Sequence, residues 1–123
     1  MTEWEVGPSN EFDANGEHRR IVHVNGGDVV VFRRGARCYA MANTCLHMGG
    51  PVGEGILLGK VEAVVDDERR YVGDRFSESE IHIVCPWHGF EYDIESGQCA
   101  SDRRLRLRTY RTIEHDGRVY VIE

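Results

Sequence analysis

Arg20-Ile21-Val22-His23-Val24-Asn25-Gly26-Gly27-Asp28-Val29-Val30-Val31-Phe32-Arg33 decides the fold class. Two β-branched runs flank a glycine-rich tetrapeptide that opens with Asn-Gly, the pair best suited to the left-handed backbone of a tight hairpin turn. Val29–Arg33 therefore returns as the antiparallel partner of Arg20–Val24. Arg34-Gly35-Ala36 makes a second tight connection, and Arg37–Ala42 becomes the third strand of a meander that runs straight into Cys45-Leu46-His47.

The same pattern continues downstream. Glu80–Val84 is a strand entering a second loop, Cys85-Pro86-Trp87-His88, and Phe90–Ile94 leaves it toward a turn at Glu95-Ser96-Gly97-Gln98. Leu105, Leu107 and Thr109 alternate with Arg104, Arg106 and Arg108, the period of a strand with one buried face and one stripe of guanidinium groups. Arg111–Glu114 and Arg118–Ile122, joined by His115-Asp116-Gly117, form a closing hairpin. No long helical period, internal repeat, low-complexity segment or linker interrupts these runs. The expected fold is all-β, one domain over residues 1–123.

Between the two loops lie residues 48–84. Met48-Gly49-Gly50-Pro51-Val52-Gly53-Glu54-Gly55 is glycine-rich, as a loop must be where its backbone closely approaches an inorganic group. Val61–Val65 and Arg70–Val72 read as strands around Asp66-Asp67-Glu68, ahead of a charged stretch from Asp74 to Glu80. We expect a hairpin insertion at about 57–80, exposed to solvent, with a docking role as the sharper alternative.

A chain of 123 residues builds a real core but leaves no room for a second catalytic domain. Its net charge of −6 argues against nucleic acid, which asks for a basic footprint, and permits steering toward a basic protein partner. Met1-Thr2-Glu3-Trp4-Glu5 lacks the basic start and apolar stretch of a signal peptide, and no apolar run would span a membrane. The expected location is the cytoplasm, which disfavours disulfides among the four cysteines.

Cys45 and His47, spaced C-x-H, and Cys85 and His88, spaced C-x-x-H, supply two thiolates and two imidazoles to metal. A tetrahedral zinc site is one reading of that set. The other is a Rieske [2Fe-2S] centre, in which two histidines replace two cysteines on one iron. Cys38 and Cys99 remain outside both pairs. Cys38 reads as a small buried strand residue, and His18, His23, His82 and His115 as surface or hydrogen-bonded side chains.

CLHMGGPVGEG, from Cys45, resembles the first cluster loop of the Rieske family, and CPWHGFEYDIESGQC, from Cys85, resembles its second. LRTYRTIEHDGRVYVI is similar to the family's closing strands, with a weaker likeness through VVVFRRGARCYAMANT. The resemblance implies a stack of small antiparallel sheets with the cluster at one end. It implies Cys45 and Cys85 on one iron and His47 and His88 on the other, with the imidazoles near solvent as the electron exit. Gly50 and Trp87 stand where the respiratory branch carries disulfide cysteines, and Phe90 where it carries a serine donor. Tyr92 matches that branch's hydrogen-bonding tyrosine. Cys99-Ala100-Ser101-Asp102-Arg103 contains no proline, so the proline lid of many relatives is missing. Trp87 and Phe90 are expected to shield the cluster.

These features imply a soluble one-electron carrier, passing electrons from a flavin-containing reductase to an oxygenase, monomeric when free and inactive alone. It would serve as one component of a multicomponent oxidoreductase system. A redox subunit held permanently in a larger enzyme, similar to the small subunit of nitrite reductase, is the first alternative. A redox-sensing module is the second. No facial triad or dinucleotide fingerprint is apparent in the sequence.

Overall fold

The computed structural model describes residues 2–87 and 89–123. Among these residues nine strands follow in order: β1 (Glu3–Pro8), β2 (Arg20–Val24), β3 (Gly27–Arg34), β4 (Arg37–Ala42), β5 (Ile56–Val65), β6 (Tyr71–Val84), β7 (Glu91–Asp93), β8 (Thr109–His115) and β9 (Arg118–Ile122). Short 3-10 turns occupy Ser9–Glu11 and Val52–Glu54, and no α-helix occurs among the described residues. The strands form a six-stranded antiparallel sheet ordered β1-β9-β8-β4-β3-β2 and a three-stranded one ordered β5-β6-β7. The all-β expectation holds.

The deciding hairpin folds as its residues dictate. Asn25 and Gly26 take φ of 47° and 85°, the positive pair of a two-residue turn, and Val24 pairs with Gly27. Asp116 and Gly117, at 52° and 73°, repeat the device between β8 and β9, so His115 belongs to β8 rather than to the turn. The unbroken run Val29-Val30-Val31-Phe32 has its own cause, because β3 is buried on both faces. Val30 and Phe32 enter one core with Met41, Ile83, Tyr92 and Leu107. Val29 and Val31 enter another with Val6, Ala40, Val119 and Val121. Each fully buried Val, Leu, Ile, Phe or Met among them contributes about 1.5–3 kcal/mol relative to exposure.

Two elements differ from the sequence reading. β1 was not expected; it pairs with β9 from Glu3↔Ile122 to Pro8↔Arg118, a contact between the chain ends that no local pattern announces. The alternating stretch before Thr109 is not a regular strand. Asp102 Oδ1 accepts the Arg104 N–H, and Leu107 donates its N–H to Gly97 O, which anchors the stretch as an irregular crossing with Leu107 buried. Its arginine stripe is partly neutralised, since Arg104 pairs with Asp102 and Arg108 with Glu123.

The segment between the metal loops is one long hairpin. β5 and β6 pair from Ile56↔Val84 out to Val65↔Tyr71, and the charged stretch Asp74–Glu80 lies inside β6. Beyond the small sheet the hairpin continues as a two-stranded ribbon. Val61, Val65, Tyr71, Val72 and Phe76 are each more than half exposed on it.

Candidate metal centre

The loops after β4 and β6 are built alike. Cys45 donates its N–H to Gly50 O and Cys85 to Phe90 O, both at 2.8 Å and both five residues ahead. Gly49 and Gly89, each four residues after its cysteine, take φ of 77° and 72°, a left-handed backbone that favours glycine. The first loop is further anchored at its base, where Val52 N–H bonds Asn43 O and Gly53 N–H bonds Asn43 Oδ1. His47 stands two residues into its loop. His88 belongs to the second loop and lies outside the described residues.

Cys45 and Cys85 are 2% and 1% exposed and belong to the central core, whereas His47 is exposed. The Tyr92 hydroxyl, wholly buried on β7, lies 3.1 Å from Cys45 Sγ and accepts the Leu46 N–H at 3.1 Å. Burial opposes ionisation of Cys45. The Tyr92 hydroxyl, the His47 N–H, the Cys85 thiol and the Met48 N–H together outweigh it, so this thiol sits below its ordinary value. Burial and the neighbouring Cys45 sulfur push Cys85 up, the Trp87 N–H opposing them. Burial, then the Cys45 contact, also pushes the Tyr92 phenol up, keeping it a proton donor.

Gly50 completes the cradle. A Cβ there would lie 2.9 Å from Cys85 Sγ and 2.8 Å from Trp87 Cγ, so only glycine lets the two loops approach. Trp87, 50% exposed, lies across Gly50 rather than sealing the site. Phe90 is partly buried, packs on the core and stacks on the His47 ring at 4.3 Å and 13°. Cys38 and Cys99 are buried and free, as are the loop cysteines.

The donor set separates the two metal readings. Ligands of one tetrahedral zinc, at about 2.0–2.3 Å from the ion, all lie within about 4 Å of one another. Among the described residues, Cys45, His47 and Cys85 do not bring three ligand atoms within even 4.8 Å. The two sulfurs are near enough to shift each other's ionisation, and the His47 ligand atom does not complete one tight trio with them. That spread is too wide for one tetrahedral zinc and leaves room for a binuclear cluster.

An antiparallel all-β scaffold with two cysteine-bearing loops at its core edge has the form of an iron–sulfur module. The Rieske [2Fe-2S] domain model matches residues 2–111, and the chain belongs to that family, whose cofactor is a [2Fe-2S] cluster. Ferredoxin CarAc of Metapseudomonas resinovorans is 28% identical over 107 residues, 86% of this chain and 80% of that protein. The ferredoxin of carbazole 1,9a-dioxygenase from Nocardioides aromaticivorans IC177 superposes with a TM-score of 0.69 at 21% identity, over 98% of this chain and 97% of that one. A Mycobacterium tuberculosis protein described as an NADH-dependent nitrite reductase small subunit superposes at 0.74 and 18% identity, over 98% and 93%. At these identities the superpositions show the fold.

One group escaped the sequence reading. His82 is 3% exposed, with Nε2 2.7 Å from Glu80 Oε2 and Nδ1 3.1 Å from Glu91 Oε1. The alternations Glu80-x-His82 and Glu91-x-Asp93 were visible, but not the register that sets them side by side.

Proposed function

We propose that Cys45 and Cys85 hold one iron of the cluster and His47 and His88 the other. The chain is then a one-electron carrier between a flavin-containing reductase and an oxygenase in the cytoplasm, monomeric when free. The observation that carries this reading is the polarity of the site, with both thiols in the core and His47 exposed at its rim.

When bound, the cluster supplies reversible one-electron chemistry at a potential raised by imidazole ligation. The protein's own part is electrostatic and steric. Tyr92 donates toward the Cys45 sulfur and, through Leu46 N–H, ties that loop to β7. Phe90 backs the His47 ring and limits its rotation, so the imidazole meets a partner in one orientation. Leu46, Met48 and Trp87, about half exposed, give the same rim an apolar contact surface.

The β5–β6 ribbon favours a second reading, a redox subunit held in a larger enzyme. It reads as an insertion at about 57–80, and its exposed Val61, Val65, Tyr71 and Phe76 would suit a lasting apolar interface. Pull-down from native extract with the cluster intact tests both. A shuttle gives transient, salt-sensitive capture of an oxygenase or reductase, and a subunit gives a complex that survives high salt. Turnover of an organic substrate by the isolated protein would overturn both.

Single replacements test the ligands. Cys45→Ala, His47→Ala, Cys85→Ala and His88→Ala should each abolish the red-brown chromophore and lower bound iron, while Cys99→Ala should keep both. Full iron content in any of the first four removes that residue from the ligand set.

A further inference from the structure

β6 and β7 pair with His82 opposite Asp93 and Ile83 opposite Tyr92. Ile83 and Tyr92 face the core, so strand alternation turns His82 and Asp93, with Glu80 and Glu91, to the other face of the small sheet. There Glu80, His82 and Asp93 bring one ligand atom each within 4.8 Å of one another, and no other trio of described His, Cys, Asp or Glu residues does so. They border a cleft of about 290 Å³, which Lys60, Gln98 and Arg103 also line.

We propose that Glu80, His82 and Asp93 form a second metal site, for a divalent cation that accepts mixed nitrogen and oxygen ligands, zinc above all. His82 Nε2 and one oxygen from each carboxylate are the protein ligands, and water fills the open position.

Three observations carry the assignment. The first is that His82 is a buried imidazole whose Nε2 points at a carboxylate of the trio, not at solvent. The second is Glu91, whose Oε1 faces the other ring nitrogen at 3.1 Å. A metal-bound histidine almost always gives its second N–H to such a carboxylate, which fixes the ring and makes it a better ligand. The third is Asp93, whose Oδ1 is held by the N–H groups of Glu95 at 2.7 Å and Ser96 at 3.2 Å, leaving its second oxygen for a cation.

One imidazole with two carboxylates and no thiolate suits zinc in an open site better than magnesium or calcium, which prefer oxygen alone. A cation at Nε2 takes the place of the ring's contact with Glu80, while Nδ1 keeps its contact with Glu91. Lys60, with Nζ 3.8 Å from Glu80 Oε2, and Arg103, which also lines the cleft, are the competing charges; the Lys60 side chain is nearly half exposed and Arg103 is exposed, so both can swing toward water. None of the three ligands belongs to the cysteine–histidine loops, so the site stands whether or not the redox reading does.

The test is calorimetric titration of the cluster-loaded protein with zinc chloride, after a chelator wash, with the visible spectrum and iron content followed in parallel. We expect one zinc per chain, binding roughly in the micromolar range, with iron retained. Zinc-edge absorption should show nitrogen and oxygen at about 2.0–2.2 Å and no sulfur at about 2.3 Å. Glu80→Gln and Asp93→Asn should each weaken binding at least about tenfold, Glu91→Gln by about 10–100-fold, and Glu95→Gln should change nothing. Both ligand replacements are near-isosteric and spare the buried histidine. No saturable binding below about 1 mM, a zinc–sulfur shell, or unchanged affinity in Glu80→Gln and Asp93→Asn would overturn the site. Unchanged affinity in Glu91→Gln would remove the orienting role of that carboxylate.

Discussion

The Tyr92 hydroxyl touches the Cys45 sulfur and the Leu46 N–H at the same distance, 3.1 Å. Accepting from the Leu46 N–H leaves the hydroxyl's own proton available to the sulfur. A hydrogen bond to a cluster thiolate favours the state with more negative charge, which is the reduced one.

Tyr92→Phe should therefore lower the midpoint potential. Losing about 1 kcal/mol from a one-electron couple, at 59 mV per tenfold, corresponds to about 40 mV. Voltammetry of wild type and variant measures it, and equal midpoints would mean that the hydroxyl does not donate to sulfur.

Phe90 stacks on His47 and carries no hydroxyl to donate to the cluster. The wild-type midpoint should consequently fall in the low to intermediate part of the Rieske range, between about −150 and +150 mV. A value above that window contradicts the reading.

Gly50→Ala forces a methyl to within 2.9 Å of Cys85 Sγ and of the Trp87 side chain. We expect a loss of about 1–3 kcal/mol and reduced cluster occupancy after purification. Gly27→Ala, whose new methyl meets nothing closer than 4.0 Å, is the control. Matching melting temperatures and iron contents for the two variants would refute the clash.

Burial, with help from Glu114, pushes the Cys38 thiol up to about 11 from 9.0, against the opposing pull of Arg33. The unfolded chain then gives up this proton first as pH rises. The stabilisation is complete below pH 9.0 and is lost through the window from there to about 11, on the order of 3 kcal/mol in all. Denaturant unfolding across that window should show a shallower pH slope in Cys38→Ala. Rapid alkylation of folded Cys38 at pH 8 would also contradict the raised value.

Local chemistry made much of the molecule legible. Asn25-Gly26 and Asp116-Gly117 announced their hairpins because a positive φ at both central positions leaves few alternatives. β4 was read as Arg37–Ala42, where it lies, since Gly35 and the loop after Ala42 bracket it. Tyr92 was identified through resemblance, and its contact with Cys45 followed. What escaped depends on pairing between distant segments. β1 exists because β9 offers it an edge, and Gly7 and Pro8 blur its Trp4-x-Val6 alternation. The arginine stretch looked like a strand, but Asp102 turns the chain before it can join a ladder. His82 looked unremarkable alone; its environment comes from β7, nine to eleven residues away.

β7 is only three residues long, and its alternation separates two incompatible chemistries. Tyr92 points one way, to the Cys45 sulfur, while Glu91 and Asp93 point the other, to an imidazole. A slip of one residue against β6 would aim a carboxylate at Cys45 and strand a phenol beside His82. The loop bond from Cys85 N–H to Phe90 O and the Asp93 cap on the following turn hold this strand at both ends against that slip. Shortening or lengthening the loop between β6 and β7 by one residue would then invert the site, not merely loosen it.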